Sequence, residues 1–349
     1  MIKEIKIENF KSIESLNLEL GRLNVFIGAN GSGKSNILEG IALINAAKEN
    51  KLDTEFLYAR GVRVEEEIYT PSAFKQNNCD PITITISQNG HLINRLDINK
   101  DGWAMNSLAD NNIVSMFSDN QKTTLQKFNG NGHNNNSTFL IYAPENTYLR
   151  NFTEEGQIKP LGVRGEGLFK LLQKIIKETP KNFNKINKHL QLIDWIESVE
   201  MPIDLMYGER RLHFKDANLA EGLQDISQRS ANEGTLYLLF YLTLFISDDT
   251  PKFFAIDNID NAMNPKLGSE LIRILSKLAK EHDKQVILTT HNPSVLDGLD
   301  LQDDEQRLFV ISRNKSGHTQ AIRVPHRESE ERLSTRFIRG SIGGLPKNF

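Results

Sequence analysis

The sequence has little cysteine, no long hydrophobic run and almost no net charge, and each shortage excludes a class of protein. Its single cysteine, Cys79, cannot form an internal disulfide, which is typical of a reducing compartment. The longest apolar stretch covers only residues 236–246, whereas a bilayer span needs about 20 residues. Residues 1–10 alternate charged and apolar residues and lack the apolar segment of a signal peptide. We therefore expect a cytoplasmic protein with no membrane partner.

The charged and metal-binding residues exclude further classes. The net charge of −3 and the isoelectric point near 6.3 give no overall attraction to polyanions, so a nucleic-acid contact would need a local basic patch. The eight histidines lack zinc-ligand spacing, and the sequence contains no D-x-D of the kind that Toprim nucleases use for two-metal chemistry. Sustained heptads are also missing, which excludes a long coiled-coil arm.

The strongest motif is "GANGSGKS" at residues 28–35, which matches the pattern G-x-x-x-x-G-K-[ST]. It follows the strand-like "LNVFI" and opens an amphipathic helix, the context in which backbone N–H groups wrap a β-phosphate. Lys34 would reach the β and γ oxygens, and Ser35 would place its hydroxyl on Mg²⁺. The alternative is a glycine-rich turn that only caps a helix, and the agreement of motif and context argues against it. The predicted nucleotide-binding residues of this loop are Asn30, Gly31, Ser32, Gly33, Lys34, Ser35 and Asn36.

Two later strands end in polar residues that would complete such a site. Asp257 follows "KFFAI" and would hold the same Mg²⁺ as Ser35. His291 follows "QVILTT" and precedes Asn292-Pro293, where it would touch a γ-phosphate or the attacking water. The alternatives are a simple turn aspartate and an unremarkable histidine. The predicted cofactors are ATP and Mg²⁺, with Ser35 and Asp257 as the metal ligands.

The pattern along the chain is that of an α/β protein. From residue 232 onward helices and strands alternate, which is typical of a parallel, doubly wound sheet. Residues 62–100 change to a period of two with a turn at Asn89-Gly90, which predicts antiparallel strands. Residues 101–140 are rich in asparagine, serine and glycine, and we expect a mobile loop or insertion there.

Four segments in fixed order, "IENFKSI", "NVFIGANGSGKSNILEGI", "FFAIDNIDNAMNP" and "VILTTHNPSVLD", together resemble the ABC-type ATPase heads of the RecF, SMC and OLD group. Within that group the chain is most similar to the stand-alone AAA-like ATPases that accompany effector genes in prokaryotic anti-phage defence operons. The resemblance covers the start and the last third of the chain well and the middle loosely. It implies an α/β P-loop NTPase of the ABC-ATPase head type, whose mixed sheet carries an antiparallel β subdomain and an inserted helical lobe.

The predicted organisation combines this resemblance with the periodicity of the middle of the chain. Residues 165–199 have helical spacing, and Pro180 divides them into two helices of the lobe. The expected parts are residues 1–100 for the N-terminal part of the head with the phosphate loop and antiparallel strands, 101–140 for the asparagine-rich loop or insertion, 141–225 for the helical lobe, and 226–349 for the C-terminal part with the signature, Walker B, D-loop and switch histidine.

The resemblance implies that two heads meet face to face with ATP between them. A signature motif at a helix N-terminus of the partner then grips the γ-phosphate, and "RSANEGTLYLLF" is the candidate. Gly234 falls where the signature glycine belongs, but Asn232 stands where serine is usual, and Ser230 would substitute if the loop were one turn longer. The alternative for this stretch is an ordinary helix N-cap. Asn261 to Asn264 would form the D-loop at the dimer interface, and no residue is assigned to the Q-loop.

In these ATPases the residue after the Walker B aspartate is usually a glutamate that polarises the attacking water, and here it is Asn258. An amide can orient water but cannot accept its proton, and general-base help is worth about 10² to 10⁴ in rate. Either hydrolysis is slow and the ATP-bound dimer is a long-lived switch or scaffold, or Asp260 replaces the missing base. We favour the first interpretation. The predicted catalytic residues are Asp257, Asn258, Asp260 and His291.

The same features predict the partners. We expect a homodimer, or a higher homo-oligomer built from ATP-sandwich dimers, that regulates a separately encoded effector such as a nuclease. The alternative is a RecF-like DNA-repair ATPase, because lysines recur at helical spacing over Lys170–Lys188 and would contact DNA phosphates, unless they only form a solvated face. A third alternative is a structural assembly with permanently bound nucleotide. The lysines of this basic stripe are Lys170, Lys174, Lys177, Lys181, Lys185 and Lys188.

Overall fold

The structure, a computed structural model, describes residues 1–63, 81–99, 102–107, 112–119, 122–128, 139–152, 156–202, 209–220, 223, 225–328 and 331–343. These residues contain sixteen strands, numbered in chain order. The strands are β1 Glu4–Phe10, β2 Ile13–Glu19, β3 Leu23–Ile27, β4 Ile82–Gln88, β5 His91–Asn99, β6 Gly102–Ser107, β7 Asn112–Asp119, β8 Lys122–Phe128, β9 Ile141–Tyr142, β10 Ile196–Glu200, β11 His213–Asp216, β12 Asp225–Ser227, β13 Phe253–Ile256, β14 Gln285–Thr290, β15 Gln306–Arg313 and β16 Thr319–Val324.

Eight α-helices and one 3-10 helix complete the regular structure of the described ranges. The α-helices are α1 Lys34–Lys48, α2 Thr54–Ala59, α3 Asn146–Asn151, α4 Leu168–Glu178, α5 Pro180–Leu190, α6 Glu233–Ile246, α7 Pro265–Glu281 and α8 Leu333–Ile338, and the 3-10 helix is Pro293–Gly298.

Five parallel strands and one antiparallel edge strand form the core sheet, in the order β16-β15-β3-β14-β13-β9. The central strand β3 is buried at every residue because helices and a second sheet cover the two faces. Leu23, Val25 and Ile27 point into a core shared with α6 and α7, whereas Phe26 points into a core shared with α1. This architecture confirms the predicted α/β fold class.

The apolar stretch at residues 236–246 lies within α6, a helix buried along almost its whole length. A helix that is hydrophobic on every face belongs in the interior of a protein. Within the ranges that the structure describes, no helix combines the length and hydrophobicity that a membrane crossing requires.

A second sheet of seven antiparallel strands packs against α1, in the order β2-β1-β4-β5-β6-β7-β8. The predicted turn at Asn89-Gly90 joins β4 to β5, and both residues have the positive φ that tight two-residue hairpin turns require, 51° and 79°. The expected loop over 101–140 is wrong for much of its length, because β6, β7 and β8 lie there. Strand pairing along their whole length outweighs their unfavourable composition. The run "NGNGHNNNS" at 129–137 falls outside the described residues.

The lobe expected at 141–225 is only partly helical. Helices α4 and α5 meet at Pro180 as predicted. However, β9 belongs to the core sheet, and β10, β11 and β12 form a separate three-stranded antiparallel sheet. These strands have only three to five residues each, too few for a visible period of two. The helical lobe is therefore corrected to a helix pair accompanied by a small sheet.

Candidate nucleotide-binding site

The phosphate loop, Asp257 and His291 gather at one edge of the core sheet. Strands β13, β14 and β3 are parallel neighbours, so their carboxyl ends meet at the same edge. The phosphate loop follows β3, Asp257 follows β13, and His291 follows β14. The fold thus brings together segments that are far apart in the sequence.

The phosphate loop has the backbone shape of an anion-binding turn. Gly31 and Gly33 have positive φ, 73° and 105°, and Gly33 is the residue from which α1 begins. Left-handed glycines of this kind turn successive N–H groups toward one concave face. The first N–H groups of α1 also lack partners within the helix, and the helix dipole adds positive potential there. This loop is therefore suited to bind a phosphate group.

The side chain of Lys34 folds back over the phosphate loop. Its Nζ donates to the carbonyl oxygens of Gly28 at 2.8 Å and Ala29 at 3.1 Å. The same Nζ lies 3.3 Å from Nδ1 of His291, and that nitrogen lies 3.1 Å from the Gly28 carbonyl oxygen. Lys34 and His291, which two different motifs predicted, therefore occupy one cluster.

Lys34 remains a cation at neutral pH although only 6% of it is exposed. Desolvation lowers the pKa of its ammonium group from 10.5 to about 8, and the carboxylates of Asp257 and Asp260 act in the opposite direction. Because that pKa stays above 7, a buried positive charge lies between the phosphate loop and the two aspartates. An anion bound beside it would stabilise the charged form further.

Hydroxyl groups from distant segments brace the phosphate loop. Thr319 donates from its hydroxyl to the Ser32 carbonyl oxygen at 3.0 Å, and the same hydroxyl lies 2.7 Å from Ser12 Oγ. Asn36 was predicted to bind nucleotide, but its amide nitrogen donates to Ser12 Oγ at 2.7 Å. In this structure Asn36 therefore belongs, with Ser12 and Thr319, to the side chains that support the phosphate loop. A contact between Asn36 and nucleotide stays a prediction.

We expect Gly33→Ala to disrupt the loop and Gly31→Ala to leave it largely intact. A Cβ at Gly33 would lie 2.0 Å from Thr319 Oγ1, whereas a Cβ at Gly31 would meet no described atom within 4 Å. Both glycines have positive φ, but 105° at Gly33 lies farther outside the left-handed region than 73° at Gly31, so the larger loss at Gly33 combines this strain with the collision. Gly33→Ala should lower the free energy of unfolding by about 3 kcal/mol and Gly31→Ala by about 1 kcal/mol, measured by urea denaturation. Equal losses would contradict the bracing role of Thr319.

Buried threonines hold the two aspartates of the β13 edge. Thr289 donates to Asp257 Oδ1 at 2.5 Å, and Thr290 donates to Asp260 Oδ1 at 2.6 Å. Both threonines are 0% exposed, so their hydroxyl groups need such partners. Both carboxylates also lie within electrostatic reach of Lys34. Asp260, although four residues beyond the end of the strand, therefore belongs to the same cluster as Asp257.

The backbone explains why Asn258 is compatible with its position. Its φ is 53°, a left-handed conformation that asparagine adopts more readily than most residues. Its N–H donates to Thr289 Oγ1 at 2.9 Å, which fixes the turn. This turn also brings Asp260 back to the edge of the sheet. The loop therefore allows Asp260 to lie near the site, as a substitute base would have to. Both interpretations of hydrolysis, the slow switch and the substitute base, stay open.

The signature candidate forms the first turn of α6. Asn232 is its N-cap and accepts hydrogen bonds from the backbone N–H and the hydroxyl of Thr235, both at 2.8 Å. The ordinary helix N-cap, which was the alternative to a signature motif, is therefore present in this stretch. The N–H groups of Glu233 and Gly234 remain at the helix tip. Gly234 is buried, and a Cβ there would lie 3.0 Å from the carbonyl oxygen of Ala262 in the D-loop candidate. The signature and D-loop candidates of one chain are therefore neighbours.

Two lysines of the basic stripe are engaged with the rest of the head. Lys174 lies 2.8 Å from the carboxylate of Asp249 and 3.8 Å from that of Glu178. Lys185 lies 2.5 Å from the carboxylate of Glu281 at the end of α7. A DNA contact along the whole stripe would break these ion pairs, so the stripe offers fewer free cations than its sequence indicates.

Five residues of the site had not been predicted. The sequence does mark Thr289 and Thr290, because two adjacent polar residues end an otherwise apolar strand. Nothing in the sequence marks Ser12, Thr319 and Arg313, because their role depends on long-range contacts. Arg313, for instance, donates at 2.8 Å to a carbonyl oxygen of the phosphate loop from the end of β15. Ser230, the proposed substitute for the signature serine, is exposed in the turn before the helix.

The predicted metal ligands lie at the same edge but do not form a closed metal centre by themselves. Ser35 is in the first turn of α1, and Asp257 follows β13. Across the ranges that the structure describes, there is no group of three or more His, Cys, Asp or Glu side chains that could hold a metal ion. One hydroxyl and one carboxylate need phosphate oxygens and water to complete the coordination of Mg²⁺.

The glycine loop between β3 and α1, the lysine at its end, and the aspartate and histidine after the two neighbouring strands define a P-loop nucleotide-binding protein of the ABC-ATPase head type. Residues 1–212 match the family model described as AAA ATPase domain, more than half of the 349-residue chain. The chain therefore belongs to the AAA ATPase domain family. The predicted membership in the RecF, SMC and OLD group of ATPase heads is confirmed.

Similar proteins match over short parts of the chain. The RecF DNA replication and repair protein of Alkaliphilus oremlandii is 45% identical over 49 residues, which are 14% of this chain and 13% of RecF. The OLD nuclease of Thermus scotoductus is 41% identical over 44 residues, 13% of this chain and 8% of the nuclease. An uncharacterized protein of Methanocaldococcus jannaschii is 44% identical over 75 residues, 20% of this chain and 34% of that protein. The matches thus span between 8% and 34% of the length of these relatives.

The fold has a solved counterpart that covers nearly the whole chain. The SMC head bound to the C-winged helix domain of ScpA superposes with a TM-score of 0.60 and 16% identity, over 93% of this chain and 98% of that one. Likeness at this identity shows a shared fold. It extends beyond residue 212, where the family model ends, and so includes the part of the chain that carries Asp257 and His291.

Proposed function

We propose that two copies of this chain bind ATP and Mg²⁺ between them, hydrolyse the ATP slowly, and in the ATP-bound form regulate a separately encoded effector in anti-phage defence. One observation carries the proposal: Lys34, Asp257, Asp260 and His291 converge at the edge of the sheet where the phosphate loop opens.

The residues at this edge fit a triphosphate. Ser32 Oγ is buried and has no hydrogen-bond partner in the described part of the protein. A buried hydroxyl without a partner, beside the N-terminus of α1 and a buried ammonium, is a donor set that calls for an anionic acceptor. The phosphate loop and Lys34 would hold the phosphates, and Ser35 and Asp257 would hold Mg²⁺. Bound there, Mg²⁺ would neutralise negative charge on the phosphates.

The side chains around the γ-phosphate position favour slow hydrolysis. His291 lies beside Lys34, where its imidazole would touch a phosphate oxygen or hold the attacking water. Asn258 would orient that water without accepting its proton. Asp260 is held by Thr290, which lowers its freedom to act as the base. The ATP-bound dimer would therefore persist, as a switch or scaffold requires.

The proposed dimer uses the tip of α6 as the second half of each site. Asn232 and Glu233 are exposed at this tip, and its N–H groups with the helix dipole would face the γ-phosphate held by the other copy. The D-loop candidate beside Gly234 would enter the same interface. A solved head of this fold is bound to a domain of another protein, ScpA, which supports the idea that such a head holds a separate partner.

The defence role is tested by phage infection of cells that express the chain together with the product of the neighbouring gene. We expect protection that needs both genes and disappears with Lys34→Ala, and co-purification of the two products in the presence of ATP. Protection that survives Lys34→Ala, or the lack of any association between the two products, would contradict the proposal.

A second candidate is a DNA-repair ATPase, which the similarity to RecF favours. Its discriminating observation is ATP-dependent binding of the purified chain alone to duplex DNA, with affinity that falls steeply as salt rises. Changing Lys177 and Lys181 to glutamate would weaken that binding if the stripe makes the contact. Salt-insensitive or undetectable binding would exclude this candidate.

A further inference from the structure

The short helix α3 contacts the signature segment through two polar side chains. Asn146 donates from its amide nitrogen to the carboxylate of Glu233 at 2.6 Å. Arg150 donates to the carbonyl oxygen of Arg229 at 2.7 Å and lies 3.4 Å from that of Gln228. One contact is with the first residue of α6, and the other is with the loop that leads into it. Together they fix both sides of the point where α6 begins.

Helix α3 is itself held rigidly. A helix of six residues is not stable alone, so its position depends on tertiary contacts. Leu149 and Phe152 are each 0% exposed in the core that also contains α6. Arg210 donates to the Phe152 carbonyl oxygen at 2.7 Å, and the guanidinium of Arg164 lies 4.6 Å from the ring centre of Tyr148. The two contacts with the signature segment therefore start from a fixed base.

The loop before α6 is also held from its other side. Gln228 is 2% exposed, accepts a hydrogen bond from the Leu212 N–H at 3.0 Å, and donates to the Arg210 carbonyl oxygen at 3.3 Å. With this side of the loop fixed, Arg150 sets the direction in which the remaining turn, from Arg229 to the N-cap, approaches the helix. Polar contacts at a partly exposed position add little to global stability but fix orientation.

A direct backbone path joins α3 to the nucleotide site of the same chain. The Asp257 N–H donates to the Tyr142 carbonyl oxygen at 2.8 Å, so β9 is paired with the strand that carries the Walker B aspartate. Three residues, 143–145, separate β9 from α3. A displacement of Asp257 would thus be passed through β9 and α3 to the tip of α6.

We infer that Arg150 and Asn146 are positioning residues, which orient the tip of α6 and couple it to the nucleotide site of their own chain. This inference rests on the proposed function, because the tip of α6 acts on the nucleotide of the other copy. Each chain then links one nucleotide site, built on its own Asp257, to a second site, built on its own Gly234. Occupancy of one site changes the other.

The test compares Arg150→Ala with Arg150→Lys and with Arg95→Ala as a matched control. Arg95 is an exposed arginine of β5 that pairs with Asp97 of the same strand.

Binding of a fluorescent ATP analogue measures the nucleotide affinity of the phosphate loop. The protein concentration at which ATP-dependent dimers form measures the contribution of the tip of α6. Arg150→Ala should leave nucleotide affinity of the monomer within about twofold but raise the dimerisation midpoint about tenfold, and remove cooperativity between the two sites. Arg150→Lys should return the dimerisation midpoint and the cooperativity most of the way to their wild-type values. Arg95→Ala should change neither the nucleotide affinity nor the dimerisation midpoint.

Asn146→Ala and Glu233→Ala form a second, milder test, which stands even if Arg150→Ala lowers stability. We expect each to raise the dimerisation midpoint and the double variant to be no worse than either alone, since they remove one contact. If the wild-type chain forms no dimer with ATP, the proposed function fails. If it dimerises and the Arg150 and Asn146 variants dimerise equally well, only the positioning role fails.

Discussion

Lys34→Ala lowers the affinity for ATP by about a hundredfold or more, because it removes the buried cation at the centre of the phosphate loop. In the present structure that ammonium already donates to two loop carbonyl oxygens and lies beside His291. Phosphate oxygens would replace these acceptors when nucleotide binds. The backbone N–H groups of the loop and the N-terminus of α1 remain in the variant, so we expect residual binding rather than none.

The measurement is a titration with a fluorescent ATP analogue in the presence of Mg²⁺. Lys181→Ala is the control, since Lys181 is an exposed lysine on α5, far in sequence from the phosphate loop. The melting temperature of each variant separates lost binding from lost folding. An affinity within about fivefold of the wild type in a folded Lys34→Ala protein would contradict the assignment of the phosphate site.

The grouping of the phosphate loop, Asp257 and His291 at one sheet edge was predictable because its motifs are local. Eight residues, 28–35, supply the loop, and Asp257 and His291 each follow directly after a recognisable strand, whereas Asp260 lies four residues beyond one. The side chains that support the loop were not predictable, because Ser12 and Thr319 are far apart in the sequence and come into contact only in the folded protein. Asn36 illustrates the limit: its position after Ser35 suggested nucleotide, and its side chain binds Ser12.

Asn258→Glu raises the ATP turnover rate about tenfold or more. A general base contributes about 10² to 10⁴ in rate. Part of that gain is lost, because glutamate is less favourable than asparagine at the φ of 53°, by about 1 kcal/mol. The variant should also shorten the lifetime of the ATP-bound dimer. Steady-state phosphate release measures the first effect, and dissociation of the dimer after ATP removal measures the second.

The companion variant Asp260→Ala decides whether that aspartate already acts as the base. Under the slow-switch proposal its turnover stays within about fivefold of the wild type, because Asp260 is tied to Thr290. Thr290→Val is the matched control, since it frees Asp260 without removing its carboxylate. A loss of about a hundredfold in Asp260→Ala, with no gain in Asn258→Glu, would instead establish Asp260 as the substitute base.

The outer parts of the fold were harder to predict than the site. Composition misled the prediction for 101–140, where β6, β7 and β8 extend the antiparallel sheet although asparagine and serine are frequent. The strands β10, β11 and β12 were too short to show a period. Likewise nothing local indicated that Arg150 would reach the loop before α6, because the two segments are separated by 79 residues. The α/β core, in contrast, follows from buried strands and amphipathic or apolar helices that the sequence displays directly.

The central claim is that each nucleotide lies between the Lys34 loop of one chain and the Gly234 tip of another. Its most direct test is the light-scattering mass of an equimolar mixture of Lys34→Ala and Gly234→Asp proteins with ATP and Mg²⁺. Each variant alone should remain at the chain mass of 39.6 kDa, whereas the mixture should form dimers that hold one nucleotide, built from the intact half of each partner. A mixture that stays monomeric while the wild type dimerises, or a Gly234→Asp protein that dimerises with ATP as well as the wild type does, would contradict the claim.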